Sequence, residues 1–338
     1  MKKSHITIHD IAKELNISAS TVSRALSGHP RISKATRTAV RELAEKYAYQ
    51  PNVMASSLRK GKGNTIGVIV PRINRHFFSN VIGGIEEVLA GAGYNLMICQ
   101  TGEDAAQEEA AVNTLINARV NGILMSVSSG TNDFDHLEQV LRKNVRLILF
   151  DRITARLPVS TVTINDHKGA FMATDHLLSQ GYRRIICMTG PAGLNIYHDR
   201  RQGYLDAMKA RGTEVEPGWV LEGRLLVDSG REAFRSFSKW NKPPEAVVCA
   251  GDYAALGIML EARERGWKIP DDLAVTGFAN EPFTEFIDPG LSSVDQHSLE
   301  MGRTVARLFL DENGEEEEIR QVILEPDLIC RGSSVKKQ

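Results

Sequence analysis

The spacing of apolar residues over the first fifty positions predicts short helices. Two stretches have the intervals of three and four that let a helix bury one face, and their apolar residues are Ile8, Ile11, Ala12 and Leu15, then Val22, Ala25 and Leu26. Thr7 and Ser18 stand just before these stretches, where a hydroxyl can cap the first turn of a helix. Two such helices bury too little surface to be stable alone, so residues 33–47 are expected to form a third helix that covers them. The pattern therefore predicts a helix-turn-helix unit.

Beyond residue 65, apolar runs of strand length alternate with segments of helix length. The predicted strands are 66–70, 95–99, 122–127, 147–150, 185–189, 246–250, 273–277 and 321–324. The predicted helices lie near 78–92, 105–118, 133–143, 167–180, 198–211, 229–240, 253–266 and 298–311. Near-continuous apolar strands separated by helices are typical of parallel sheets covered on both faces. The pattern predicts an α/β body of two such units, the first ending near residue 165, with the acidic run 315–318 in a solvated turn.

The distribution of charge separates these two parts of the chain. Residues 1–62 contain twelve Lys or Arg and four Asp or Glu, a net charge of +8. The remaining residues contain 29 basic and 38 acidic side chains, so the total of −1 conceals two parts of opposite charge. A small basic module on an acidic body suits a polyanionic partner such as nucleic acid. A solvated basic face is the alternative interpretation of the charge alone.

Residues 49–64 join the two parts and contain one further short helix. Pro51 stands at a favourable first helical position, and the segment ends in the glycine-containing run 61–64. An isolated helix of about seven residues is marginal in water. We therefore expect this helix to form only against a surface.

Four motifs within the first sixty residues carry a family resemblance. They are Thr7-Ile8-His9-Asp10-Ile11-Ala12, Ser18-x-x-Thr21-Val22-Ser23-Arg24, Ile32-Ser33-x-x-Thr36-Arg37 and Tyr49-x-Pro51-Asn52-x-x-Ala55-x-x-Leu58. As a set they resemble the lactose-repressor and purine-repressor family of bacterial transcription regulators, and the resemblance continues through the rest of the chain. It implies a small all-α helix-turn-helix DNA-binding domain followed by an α/β two-lobed domain like a periplasmic binding protein.

The resemblance also implies domain boundaries. The helix-turn-helix domain would occupy 1–49, a hinge helix and linker 50–64, and an effector-binding and dimerisation domain 65–338. Within the last domain, the first lobe would comprise about 65–163 and 292–322, and the second about 164–291 and 323–332. The chain would then cross between lobes near 163, 291 and 323.

The function implied is that of a homodimeric, or tetrameric, regulator of metabolic genes, usually a repressor, bound to a palindromic operator. The residues assigned to DNA are Thr7, Ser18, Ala19, Ser20, Thr21, Ser23, Arg24, Thr36, Asn52, Ala55 and Leu58. Ala19, Ser20 and Arg24 are expected at base edges in the major groove, where an arginine can bond guanine through two acceptors. Ordinary capping of the second helix is the alternative role for Ser20 and Thr21.

The other DNA assignments concern the backbone and the hinge. Thr21, Ser23 and Thr36 are expected to contact or approach phosphates. Leu58 matches the leucine that relatives insert between central base pairs, which favours an easily unstacked pyrimidine-purine step there. A plain linker residue is the alternative for Leu58.

Candidate effector-binding residues follow the predicted strands. Ligands of open parallel sheets bind beyond the carboxyl ends of the strands. The candidates are Phe77, Phe78, Asp151, Arg200, Asp252, Asn280 and Gln296. By resemblance, Arg200 matches the family's effector-binding arginine, whose guanidinium offers paired donors, although it could instead pair with Asp199 or Asp206. One of the two phenylalanines could belong to the core, and Asp252 could cap the helix that follows it.

Three departures from the family bear on the ligand. Ala279 replaces a carboxylate that commonly holds ligand hydroxyls, Leu225 replaces a common aromatic, and Leu194 replaces an arginine of purine-binding relatives. These departures disfavour a purine effector and also a plain hexose held in the family's commonest way. The effector we expect is a carbohydrate or a derivative of one. For the switch we expect a ligand that grips both Arg200 and Asp151, or that breaks an ion pair between them.

Other functional classes find little support. The sequence contains no phosphate-binding GxxxxGK[ST] loop, no GxGxxG after a strand, no GxSxG elbow and no HExxH pair, and an enzyme or a cofactor site is not expected. Four cysteines lie far apart, which predicts buried thiols in a reducing cytoplasm. No secretory signal or membrane-spanning run is recognised. A solute-binding protein without a regulatory role is the chief alternative, but it would lack the basic module and need an export signal.

Overall fold

The computed structural model describes residues 6–47, 49, 64–311 and 318–336. The chain divides into two compact units, Met1–Gly63 and Asn64–Gln338. Each unit is described by itself below.

The first unit contains the three predicted helices. They are α1 at Ile8–Glu14, α2 at Ala19–Leu26 and α3 at Lys34–Lys46. Thr7 and Asp10 form a reciprocal capping box at α1, and the Ser18 hydroxyl accepts the Thr21 amide hydrogen at 3.1 Å. Side chains from all three helices, among them Ile11, Val22 and Val40, are fully buried against one another. The amphipathic pattern therefore predicted this unit correctly, because short helices can be stable only if they share one core.

The second unit contains two six-stranded sheets with helices on both faces. The first sheet has the strand order β11-β5-β4-β3-β1-β2. Its strands are β1 at Thr65–Val70, β2 at Asn95–Gln100, β3 at Gly122–Met125, β4 at Arg146–Phe150, β5 at Ser160–Ile164 and β11 at Gln321–Leu324, all parallel. Its helices are α4 at His76–Gly91, α5 at Ala105–Asn117, α6 at Asp135–Arg142 and α12 at Ser298–Asp311. These elements form the first lobe.

The second lobe repeats this arrangement, with the strand order β12-β10-β9-β8-β6-β7. Its strands are β6 at Ile185–Thr189, β7 at Val220–Glu222, β8 at Ala246–Cys249, β9 at Ala274–Phe278, β10 at Ser292–Asp295 and β12 at Asp327–Ile329, of which only β12 is antiparallel. Its helices are α7 at Asp166–Ser179, α8 at Asn195–Ala210, α9 at Val227–Phe237, α10 at Asp252–Glu264 and the short α11 at Phe283–Phe286. The two predicted α/β units are therefore present.

The pairing of β10 and β11 shows that the chain passes between the lobes at slightly later residues than expected at two of the three points. Strand β10 pairs with β9, so residues 292–295 belong to the second lobe and the chain crosses after Asp295 rather than near 291. Strand β11 pairs with β5 through Leu324, so the last crossing follows Leu324 rather than 323. The sequence pattern did not predict β5, β7, β10 or β12. These strands are short or rich in polar residues.

Close packing of helices in the second lobe depends on a glycine in α8. A Cβ atom added to Gly203 would lie 2.1 Å from the backbone oxygen of His167 in α7. A methyl group cannot fit at that distance, so the helices could not approach this closely with any other residue at 203.

Candidate functional site

Helix α2 presents the predicted recognition residues on its outer side. Ser20 and Arg24 are exposed and Ala19 is half-buried. The Arg24 guanidinium has neither a hydrogen bond nor an ion pair within residues 6–47 and 49. A free, exposed guanidinium on a rigid helix of a basic unit can reach an acceptor on a partner.

The hydroxyls around α2 and α3 are partly engaged in capping. The Ser18 oxygen lies 2.7 Å from that of Ser20 and 2.8 Å from that of Thr21. The Thr36 oxygen lies 2.8 Å from that of Ser33, the residue that caps α3. Ser18, rather than Ser20 or Thr21, is therefore the cap of α2, and Ser23 remains half-buried on that helix.

Two further observations complete this unit. Arg37 Nη2 donates to the backbone oxygens of His29 and Ile32, at 3.2 and 3.1 Å, so this arginine of the Ile32-Ser33-x-x-Thr36-Arg37 motif holds the loop before α3. Asn52, Ala55 and Leu58 lie outside the described residues, so their assignments to DNA stay predictions.

The second unit contains a cavity beyond the carboxyl ends of the strands of both lobes. Six of the seven predicted effector residues line it: Phe77, Phe78, Asp151, Arg200, Asp252 and Gln296. The seventh, Asn280, does not. The position of the cavity agrees with the rule that loops after parallel strands form ligand sites.

Arg200 projects from α8 into the wall of this cavity, where it is almost fully buried. Its Nε donates to Asp166 Oδ1 at 2.7 Å and its Nη1 to the backbone oxygen of Ala250 at 2.8 Å. The guanidinium carbon lies 3.7 Å from the centre of the Phe278 ring. The expected partner Asp151 is not bonded to it, and neither of the neighbours Asp199 and Asp206 is the partner, so those expectations are wrong. Asp166, at the first position of α7, was missed because its role depends on the packing of α7 against α8.

Burial changes the acidity of this partner. Burial raises the pKa of Asp166 to about 7, although the adjacent Arg200 favours the charged carboxylate. Arg200 and Asp166 therefore form an ion pair in a poorly solvated part of the wall. A change in protonation, or the binding of a ligand, has a large electrostatic effect there.

Asp252 has a structural role that the sequence did not indicate. Its Oδ2 accepts the Glu281 amide hydrogen at 2.8 Å and its Oδ1 accepts the Ser293 hydroxyl at 2.7 Å. Burial raises the pKa of Asp252 to about 7 in spite of these donors. The residue before α10 that takes the cap position is Gly251, so Asp252 does not cap the helix. Asp252 joins α10 to the ends of β9 and β10.

Asp151 and Asn280 occupy left-handed backbone conformations, with φ of 59° and 49°. The Ser126 hydroxyl donates to Asp151 at 3.2 Å, and burial raises the pKa of this carboxyl group. The Asn280 amide donates to Asp295 at 3.0 Å and its oxygen accepts from Arg331 at 2.9 Å. The prediction that Asn280 contacts the effector is not supported, because its side chain links loops behind the cavity.

Aromatic rings and one amide supply neutral surface. Phe77 and Phe78 meet edge to face, with centroids 5.1 Å apart, and both belong to the core of the first lobe while bordering the cavity. The Tyr197 ring also lines the cavity. The Gln296 side chain is buried at the cavity and has no hydrogen-bond partner within the described ranges. Gln296 can therefore donate to and accept from a ligand hydroxyl.

Charged residues of the cavity wall include several that the sequence did not single out. Besides Arg200, the arginines are Arg72, Arg75, Arg152 and Arg224, and the further acids are Glu103 and Glu281. Arg152 Nη1 donates to Glu103 at 2.7 Å. Although burial opposes it, the charge of Arg152 lowers the pKa of Glu103. Arginines in loops carry no sequence periodicity, so only their position after a predicted strand could have drawn attention to them.

Histidines and cysteines form no metal centre in the described parts of the chain, where no group of three metal-ligating side chains occurs. His167 Nε2 lies 2.8 Å from Asp206, a helix-surface pair of the kind expected for a lone histidine. Cys187 and Cys249 are buried, but Cys99 is half-buried and Cys330 is exposed, so the expectation of buried thiols is wrong for Cys330 and holds only in part for Cys99. No helix of the described residues is long and apolar enough to cross a membrane.

Comparison with known proteins assigns the family. The model of bacterial regulatory proteins of the lacI family matches residues 7–52, and the model of periplasmic binding protein-like domains matches residues 174–334. The HTH-type transcriptional repressor CytR of Escherichia coli strain K12 is 33% identical over 97% of this chain and 96% of CytR. The chain belongs to the LacI family.

Solved structures of LacI-family members agree. The transcriptional regulator CelR in complex with cellobiose is 28% identical, with a TM-score of 0.74 over 97% of this chain and all of CelR. The lac repressor dimer bound to operator and the anti-inducer ONPF has a TM-score of 0.87 over 98% of this chain and all of the repressor, at 22% identity, which shows the common fold alone. CytR, CelR and the lac repressor are all transcription regulators.

Proposed function

We propose that this LacI-family protein is a transcription repressor that binds a palindromic operator as a homodimer and is controlled by a carbohydrate or a derivative of one. The observation that carries the DNA part is the exposed, unpaired Arg24 on α2, in a unit whose residues 1–62 have a net charge of +8. Arg24, with Ala19 and Ser20, reads base edges, while Thr21, Ser23 and Thr36 approach phosphates.

The edge of the first sheet supports the homodimer. Strand β2 is an edge strand, and its residues Met97 and Ile98 are 37% and 47% exposed. Exposed apolar side chains on an edge strand are unfavourable unless a partner covers them. Two copies joined there would present two recognition helices to the two halves of a palindrome. Light scattering distinguishes a dimer from a tetramer.

The composition of the cavity supports a polar organic effector. Aromatic surface near Phe78 and Phe278 suits the apolar face of a sugar ring, and the unbonded amide of Gln296 suits its hydroxyls. The relative CelR was solved with cellobiose. The cavity lies between the lobes, so a ligand that prefers one arrangement of the lobes changes operator affinity, by about 5- to 150-fold for a typical coupling.

Selection of genomic fragments by the purified full-length protein tests the proposal. We expect enrichment of a palindrome flanked by metabolic genes, with Arg24→Ala losing discrimination between that palindrome and random DNA. Arg31→Ala is the matched control, because Arg31 is an exposed arginine outside α2. If no fragment is enriched while a sugar binds, the alternative of a solute-binding protein replaces the regulator. A cytoplasmic location follows from the proposed function and is checked by fractionation.

A further inference from the structure

The cavity wall contains more arginines than carboxylates. The two groups also differ in how many of their hydrogen-bonding atoms already have a partner within the protein. The arginines are Arg72, Arg75, Arg152, Arg200 and Arg224, and the carboxylates are Glu103, Asp151, Asp252 and Glu281. We propose that the effector is an anion whose carboxylate or phosphate group binds to these arginines. The inference rests on the proposed function of the cavity as an effector site and names the chemical class of that effector.

The carboxylates of the wall are already engaged in part by the protein itself. Glu103 Oε2 accepts from the Ser129 amide at 2.9 Å and from Arg152 at 2.7 Å. Asp252 accepts the two hydrogen bonds described above, one to each oxygen. Burial raises the pKa of Asp252 to about 7, which reduces the negative charge of the wall near neutral pH, and burial also raises the pKa of Asp151.

The arginines of the first lobe keep unused donors. Arg152 is nearly fully buried, and its Nε has no hydrogen-bond partner in the described structure. The nearest carboxylate oxygen to Arg152 Nε is Asp151 Oδ2, and the 3.9 Å between them is too long for a hydrogen bond. Arg72 approaches Glu103 only at 4.0 Å. A buried guanidinium nitrogen without an acceptor is unfavourable, so a ligand oxygen at this place would compensate it.

Two further arginines have no carboxylate partner. The Arg75 guanidinium lies over the Tyr253 ring, 3.9 Å from its centre, and forms no ion pair among the residues described. Arg224 is exposed at the rim and, within the same ranges, has neither a hydrogen bond nor an ion pair. The planar guanidinium can hold two oxygens of a carboxylate or phosphate at once.

The balance of donors and acceptors decides between a neutral and an anionic ligand. Arg152 and Arg200 already pair with Glu103 and Asp166. A neutral ligand would displace water from Arg72, Arg75 and Arg224, which no carboxylate approaches within hydrogen-bonding distance in the described structure, without supplying charge to compensate them. Ala279, at the end of β9, adds only a methyl group to the wall. An anion supplies both the charge and the acceptors that the wall lacks.

Thermal unfolding of the full-length protein, followed by tryptophan fluorescence, tests the inference with defined probes. Inorganic phosphate and malonate are the minimal phosphate and carboxylate, and glucose 6-phosphate and glucuronate are compared with glucose. The variant is Arg72→Gln/Arg75→Gln, since both side chains are half-buried and neither is hydrogen-bonded to a carboxylate. Arg142→Gln, on the surface of the same lobe, is the matched control because nonspecific salt effects act on it equally.

We expect phosphate or malonate to raise the melting temperature of the wild type and of Arg142→Gln more than that of the double variant, with apparent affinity at least about tenfold weaker in the variant. The three sugars show whether a sugar carries the anionic group, because glucose 6-phosphate or glucuronate should raise the melting temperature more than glucose does. Equal increments in all three proteins, or a neutral sugar that stabilises wild type and variant alike, would overturn the inference. If the double variant does not fold, Arg224→Gln at the exposed rim provides the same comparison.

This readout is independent of DNA. Operator binding without added anion is measured for the wild type and for the surface control Arg142→Gln, and it should be equal in the two because Arg142 lies in neither the cavity wall nor the first unit. A protein that binds anions but no operator would contradict the proposed function alone. A protein that binds operator but no anion would contradict this inference alone.

Discussion

Replacement of Arg200 by methionine is expected to destabilise the second lobe, because its guanidinium compensates a buried carboxylate. Arg200 and Asp166 are 5% and 2% exposed, and their 2.7 Å hydrogen bond is the one that the Asp166 side chain forms within the described chain. Removal of one partner of a buried ion pair typically costs about 3–5 kcal/mol. The long methionine side chain keeps the packing on Phe278, so the loss reports the ion pair and the hydrogen bond to the Ala250 oxygen rather than a cavity.

The double variant Arg200→Met/Asp166→Asn separates the ion pair from other effects. It removes both charges, and we expect it to recover more than half of the loss. Burial already raises the pKa of Asp166 to about 7, and without Arg200 this pKa rises further. Protonation then removes the uncompensated charge, so the loss in Arg200→Met should be smaller at pH 5 than at pH 8.

Urea unfolding measured by tryptophan fluorescence is the assay, because all three tryptophans, Trp219, Trp240 and Trp267, belong to the second lobe. Linear extrapolation gives the free energy of unfolding of each variant. A loss below about 1 kcal/mol in Arg200→Met, or a double variant no more stable than the single one, would refute the argument that this pair compensates a buried charge.

The remaining predictions concern other parts of the chain. Arg24→Ala should reduce discrimination between operator and random DNA by about 1–3 kcal/mol in competition titrations, and an unchanged ratio contradicts base reading by Arg24. Gly203→Ala should lower the free energy of unfolding by about 1–3 kcal/mol, since its Cβ would lie 2.1 Å from the His167 oxygen; a neutral effect in urea unfolding would be inconsistent with this close packing. Asp252 binds its proton more tightly in the folded protein, because burial raises its pKa to about 7. The free energy of unfolding should therefore fall as pH rises from about 4 to 7, and the same dependence on pH in Asp252→Asn counts against this. Replacement of the central operator step by a stiff A-tract should weaken binding more than flanking changes do, unless Leu58 is only a linker.

Local patterns in the sequence were sufficient for much of the fold. The helices of the first unit follow from apolar spacing and from hydroxyl caps at Thr7 and Ser18, both of which act within a few residues. The apolar strands of the two lobes, such as Ile185–Thr189, were also evident, because strands buried on both faces are apolar throughout. The rule that ligand loops follow parallel strands placed six of seven candidates at the cavity.

What the sequence could not supply depends on contacts between distant residues. The pairing of β10 with β9 set the second crossing, although the segment Ser292–Asp295 is polar and short. Asp166 became the partner of Arg200, and Asn280 turned behind the cavity to Asp295. Charge balance in the cavity arises in the same way, from arginines on separate loops that meet only after folding. By itself the sequence determined most helices and the apolar strands, because backbone propensity and burial of one face are local. Only the tertiary structure decided which polar groups satisfy one another, because each buried donor or acceptor takes its partner from whatever the fold brings within hydrogen-bonding distance.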